Sequence, residues 1–177
     1  MLKPALATCT LVSTVALLAP AVPASAAGSQ SGHERIDGFL VVTGTAANPR
    51  HVEKTGIMAR GVFTGFGHLV EVPNRPTDSD DVSRDDLIFP VGKLHLKNVN
   101  KSFQVRIDRQ TCVLRINISQ VGTVIGGTGR FAHATGHTQG SVTGWAVTAR
   151  DKNGACSMSK PLLLETDVVS ATGTLTF

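Results

Sequence analysis

The chain has no tyrosine and only 5% aromatic residues. It has no block of like charge. It has no apolar run of the roughly 20 residues a membrane helix needs. No window repeats its apolar residues every 3.6 positions. Each absence excludes something. Basic residues that are scattered rather than clustered leave no stripe for nucleic acid, although the formal net charge is +4. Without a helical period, the chain is expected to fold as β-structure. No serine lies in a Gly-x-Ser-x-Gly elbow, so serine hydrolysis finds no support.

What is present begins with a leader. Lys3 is the only charge before Glu34, Leu11 to Val22 is apolar, and Ala24-Ser25-Ala26 has the small-x-small pattern of a signal-peptidase site. Residues 1–27 are therefore expected to be a signal peptide, and the protein to be secreted with no membrane attachment after cleavage. Losing Lys3 takes the formal charge from +4 to +3. Residues 28–34 are small and polar and are expected to form a flexible lead-in. Residues 35–177 are of a size for one domain with a real core. Two cysteines survive cleavage, Cys112 and Cys156. In an exported protein an even count reads as one disulfide. A metal or redox pair is the alternative, but Cys-x-x-Cys spacing is absent.

Strand patterns fill the mature chain. Arg35 to Thr45 is the first, broken by Ala46-Ala47-Asn48-Pro49. His51 to Lys54 reads as a polar connection and Gly56 to Val72 as the longest strand-like run. Its internal glycines suggest a bulge or barrel corner. Asn74 to Asp86 reads as a long acidic loop, followed by a strand from Leu87 to Val99. Phe103, Val105 and Ile107 alternate with polar residues, as do Cys112, Leu114, Ile116 and Ile118, and Gln110-Thr111 joins the two runs into an expected hairpin. His137 to Arg150 precedes the turn Asp151-Lys152-Asn153-Gly154. The last strand alternates Val169, Ala171, Gly173, Leu175 and Phe177 with serine and threonine. Seven or eight such strands joined by short turns imply an antiparallel sandwich or barrel.

The sharpest motif is Gly126-Gly127-Thr128-Gly129-Arg130-Phe131-Ala132-His133-Ala134-Thr135-Gly136. No P-loop lysine and no helix pattern follow it, so it does not read as a phosphate cradle. Gly126, Gly127, Gly129 and Gly136 are expected to permit a barrel corner, with Phe131 plugging the core. This motif resembles that of the β-barrel shared by allene oxide cyclases and dirigent proteins. Thr111-Cys112 before it and Gly154-Ala155-Cys156 after it are similar to exported actinobacterial members of that superfamily. The resemblance extends over residues 35–177. It implies an all-β fold, an eight-stranded antiparallel β-barrel, with a cavity for an apolar molecule. It transfers no catalytic residue.

Candidate chemistry is thin. His68 and Glu71 are the notable polar residues of an apolar strand and could do acid–base work, but a spacing of three sets them on opposite faces unless a bulge intervenes. Arg115 and Asn117 could line a lumen, although simple alternation sends them to solvent. Trp145 could gate a pocket or, as a lone tryptophan more often does, fill the core. His133 and His137 lie about 13 Å apart on a strand, too far for one metal. Asp78, Asp80, Asp81, Asp85 and Asp86 form an acidic stretch without the spacing of an EF-hand; whether it binds calcium is open, and no metal site and no cofactor are assigned. Function is expected to be non-enzymatic binding of a small apolar molecule, or an extracellular interaction. The alternative is a cyclase-like or dirigent-like catalyst steering an apolar intermediate. The partners considered are a small apolar ligand and further copies of the chain, with no nucleic acid.

Overall fold

The computed structural model describes residues 28–44 and 51–177. The expected signal peptide at 1–27 and the strand break at Ala46–Pro49 lie outside the described residues. The described residues form eight antiparallel strands: β1 (Ser31–Thr43), β2 (His51–Gly61), β3 (Gly65–Val72), β4 (Val82–Phe89), β5 (Gly92–Asp108), β6 (Val113–Gly127), β7 (Thr135–Thr148) and β8 (Leu162–Thr176). Each pairs with the next and β8 returns to β1, closing the barrel. Closure leaves few unpaired strand edges. Apolar residues at alternate positions, such as Ile36 and Leu40 on β1 or Leu94 and Leu96 on β5, point inward and are buried.

Several boundaries differ from the sequence reading. Residues 31–34 are not a flexible lead-in. They pair with β8 from Ser31 opposite Thr176 to Glu34 opposite Gly173, and Gln30 and Phe177 exchange backbone hydrogen bonds at 2.8 and 2.9 Å. His51 to Lys54 is the start of β2, paired with the end of β1, not a connection. The run Gly56 to Val72 is two strands, because Gly61 turns the chain. Its φ of +147° is one that side-chain-bearing residues rarely adopt, and a Cβ there would lie 2.2 Å from the His33 carbonyl oxygen. The acidic loop ends at Asp81; Asp85 and Asp86 belong to β4.

The hairpin of β5 and β6 forms as expected, with Ile107 opposite Leu114 and Phe103 opposite Ile118. Asp108 organises its turn by accepting hydrogen bonds from the backbone N–H groups of Gln110 and Thr111 at 2.8 and 3.3 Å. β5 outruns its other neighbour, since its pairing with β4 stops at Val99. Phe103 and Val105 are consequently exposed, where alternation alone predicts burial on one face. A disulfide joins Cys112 to Cys156 across a Cα separation of 5.3 Å and ties this turn to the connection between β7 and β8.

The opposite end of the barrel is stoppered. Gly127 lets the chain pass against its neighbours: a Cβ would meet the Lys93 carbonyl oxygen at 2.2 Å and that of Phe131 at 2.6 Å. One 3-10 turn, Gly129–Phe131, then drives Phe131 into the interior, where it is fully buried. Phe131 meets Phe63, Phe177 and Phe89 edge to face, with ring centroids 5.0, 5.2 and 5.9 Å away. The Arg130 guanidinium lies 4.9 Å from the Phe177 ring centroid. Beneath this aromatic stopper Ile57, Leu87 and Leu94 fill the barrel's width. The motif is thus a corner and a plug, and the space it leaves lies toward the disulfide end.

Candidate functional site

Above the apolar layer the lumen is not filled. A cavity of about 230 Å³ is walled by aliphatic side chains, among them Leu40, Leu69, Leu96, Ile118, Val142 and Val169. Polar side chains interrupt that wall: Glu71 and Ser83, Asp85, Asn98, Asn100, Gln120 and Asp167. They reach the interior because they occupy the apolar parity of their strands. Asp85 shares it with Leu87 and Phe89, Asn98 with Leu94 and Leu96, and Asp167 with Val169 and Ala171.

These groups are partly tied together. The Gln120 side-chain amide donates to the Asn100 side-chain oxygen at 2.8 Å, and that of Asn98 donates to Asp85 at 2.7 Å. Glu71 on β3 stands directly opposite Asp85 on β4. Like charges in that relation disfavour one another. Burial first, and then the neighbouring charges of Glu71 and Asp86, push the Asp85 carboxyl up to about 6, against the opposing effect of the Asn98 hydrogen bond. Asp85 is therefore a carboxyl that changes protonation around pH 6 in a chamber whose wall is part aliphatic and part polar.

The barrel wall parts on one side of the chamber. β2 and β3 pair only from Ile57 opposite Gly67 to Ala59 opposite Gly65. Beyond that the strands part, and the Thr55 hydroxyl spans them, accepting from the Leu69 N–H at 2.7 Å and donating to the Leu69 carbonyl at 3.2 Å. A cleft of about 1080 Å³ occupies the gap. Outward-facing His68 and Val70 line it, and so do inward-facing Val52 and Leu69. Cleft and cavity share Val52, Leu69, Glu71, Ser83 and Asp85, so they adjoin across these side chains.

The sequence candidates fall on both sides of this wall. His68 and Glu71 both line the cleft but project from opposite faces of β3, which is regular there, and only Glu71 also reaches the cavity. Arg115 and Asn117 are exposed on the outer face of β6, because the apolar Leu114 and Ile116 take the inner one; the lumen role considered for them has no geometric basis. Trp145 does not fill the core. It is 43% exposed on the outside of β7, next to Arg115, with Ala146 taking the inward position. His133 and His137 are exposed as well.

The acidic stretch disperses. Asp78 pairs with Arg84 at 2.6 Å and lies 3.6 Å from the Lys97 ammonium; the hydrogen bonds from Arg84 and from the Arg75 N–H hold its carboxyl well below the usual range. Asp86 contacts His95 at 2.6 Å on the outside, while Asp85 turns inward. Among the described residues, no three His, Cys, Asp or Glu side chains gather as a metal would require. The residues that sequence reasoning missed are Asp85, Asn98, Asn100, Gln120 and Asp167. Their signal was present as polar residues on an apolar parity, hidden for Asp85 by its place in a run of aspartates. No protein-family model, no curated protein and no solved structure matches the chain.

Proposed function

We propose that the protein is a secreted barrel of the allene oxide cyclase and dirigent type that binds a small, largely apolar molecule in its lumen without transforming it. The observation that supports this is the part-aliphatic cavity of about 230 Å³ adjoining a cleft of about 1080 Å³. Small-molecule sites are typically concave chambers of roughly 300–1,000 Å³, mostly apolar and oriented by a few polar groups. The cavity alone is slightly smaller than that range, and the adjoining cleft gives a ligand room to extend. The disulfide suits an extracellular setting.

One observation favours a second reading, in which the barrel steers cyclisation or coupling of an apolar intermediate. The Asp85 carboxyl, raised to about 6, lines the cavity opposite the exposed Glu71, which suits transfer of a proton to or from a bound molecule. Native mass spectrometry of protein purified from its own culture medium tests both. A retained small molecule, released unchanged after incubation with fresh protein, is the expected result. Conversion of that molecule to an isomer or coupled product would favour the second reading. A bare polypeptide mass, with no uptake of aliphatic alcohols in calorimetry, would contradict both.

A further inference from the structure

We infer that the ligand of the lumen carries a cationic head group, an amine or quaternary ammonium on an aliphatic or aromatic body, received between Glu71 and Asp85. The inference rests on the ligand-binding reading above and narrows it. The chamber supplies the body's environment: Leu40, Leu69, Leu96 and Val169 offer aliphatic surface that excludes water. The head group's environment follows from charge. Glu71 and Asp85 stand directly opposite one another on β3 and β4, at the place where the cavity adjoins the cleft. No Lys, Arg or His is among the described residues that line the cavity; His51, Lys54, His68 and Arg84 line the cleft outside it, and Arg84 is paired with Asp78. Asp85 has an amide partner, Asn98, which does not offset its charge.

Two facing carboxylates at the rim of the chamber, Asp85 turned inward and Glu71 exposed, with Asp167 farther along the same wall, disfavour an anionic ligand and gain little from a neutral one. An ammonium between them offsets both charges and donates a charge-assisted hydrogen bond to each. A metal ion is the other cation to consider. A hard cation such as calcium takes six to eight oxygens, and the described residues provide no group of three or more candidate ligands. The position of the acidic pair also gives direction. A ligand entering through the cleft would place its body in the aliphatic chamber and its head at the Glu71–Asp85 threshold.

The test uses three molecules that share one chain and differ in head group: octylamine, octan-1-ol and octanoic acid. Each is titrated into the intact secreted protein at pH 7.5 by isothermal calorimetry, and again into the Glu71→Gln/Asp85→Asn double variant. The variant's fold is verified by circular dichroism. At least tenfold tighter binding of the amine than of the alcohol or the acid is expected. The variant should lose the preference for the amine over the alcohol. Equal binding of amine and alcohol to the native protein would overturn the inference and leave the ligand-binding reading standing. An amine preference that survives in the variant would overturn the assignment to Glu71 and Asp85. Failure of all three molecules to bind would overturn the inference together with the reading beneath it.

Discussion

Replacing Phe131 by alanine should cost the barrel much of its stability, and the size of the loss follows from the stopper's geometry. Phe131 is fully buried and sits against three other phenylalanine rings at centroid distances from 5.0 to 5.9 Å. Truncating a buried phenylalanine costs roughly 3–5 kcal/mol, from lost transfer energy and from the cavity left behind. The upper half of that range applies here. The neighbouring rings are themselves held by strand ends and cannot close the gap, and each lost edge-to-face pair adds about 0.5–1.5 kcal/mol. At about 2–4 °C per kcal/mol for a domain near this size, Tm should fall by roughly 10 °C or more. Phe66→Ala is the matched control, since Phe66 is 71% exposed on the outer face and should change stability by no more than about 0.5 kcal/mol. Urea unfolding followed by far-ultraviolet circular dichroism measures both. A loss below about 1 kcal/mol for Phe131→Ala, or similar losses for the two variants, would refute the assignment of the glycine-rich motif as the carrier of the plug.

Other perturbations separate the remaining parts of the account. Asp85 has a folded-state pKa raised to about 6. Its contribution is therefore fully present below its unfolded value near 3.8 and is lost as pH rises through about 6. Asp85→Asn should consequently stabilise the protein at pH 7.5 by about 1–2 kcal/mol and leave it nearly unchanged at pH 4; urea midpoints at the two pH values would show this, and an equal effect at both would count against the buried-carboxyl argument. Asp78 has the opposite sign, since its carboxyl is held low by Arg84 and Arg75; its contribution is present above pH 4 and lost on acidification, so Asp78→Asn should flatten the acid limb of the stability profile. Removing the disulfide with Cys112→Ser/Cys156→Ser should cost up to about 4 kcal/mol for a sequence separation of 44 residues in the chain-entropy picture, read from urea unfolding. Thr55→Val removes the hydroxyl that spans β2 and β3, so amide exchange at Leu69 should accelerate about tenfold, a change that uniform destabilisation of the barrel would instead spread over all strands.

The fold was legible because its determinants are local and periodic. Alternation marked the β5–β6 hairpin and β8, two cysteines in a chain read as exported marked the disulfide, and the glycines around Phe131 marked a corner. Each survives in the structure because a strand's period of two and a glycine's freedom act within a few residues. The strand limits were less visible. Gly56 to Val72 looked continuous because the turn at Gly61 is made by a backbone angle and not by a proline or an Asn-Gly pair. Ser31 to Glu34 looked mobile because its order comes from β8, well over a hundred residues away. The site was read least well. Arg115, Asn117 and Trp145 drew notice as polar or bulky residues, yet their parity sends them outward. Asp85 drew notice only as one of a run of aspartates, and Asp167 drew none, although their parity sends them in. Parity is a local property, but which parity faces the lumen depends on barrel closure, and the gap between β2 and β3 has no local signal beyond the glycines that flank it.

The most direct test of the central claim, that the lumen is the binding site, is a nuclear magnetic resonance titration of isotope-labelled protein with octan-1-ol. Amide shifts should concentrate on the cavity wall, at Leu40, Leu69, Leu96, Ile118 and Val169, with the stopper around Phe131 unchanged. Shifts confined to the outer apolar residues Phe39, Trp145 and Val168, or no saturable shifts at all, would contradict it.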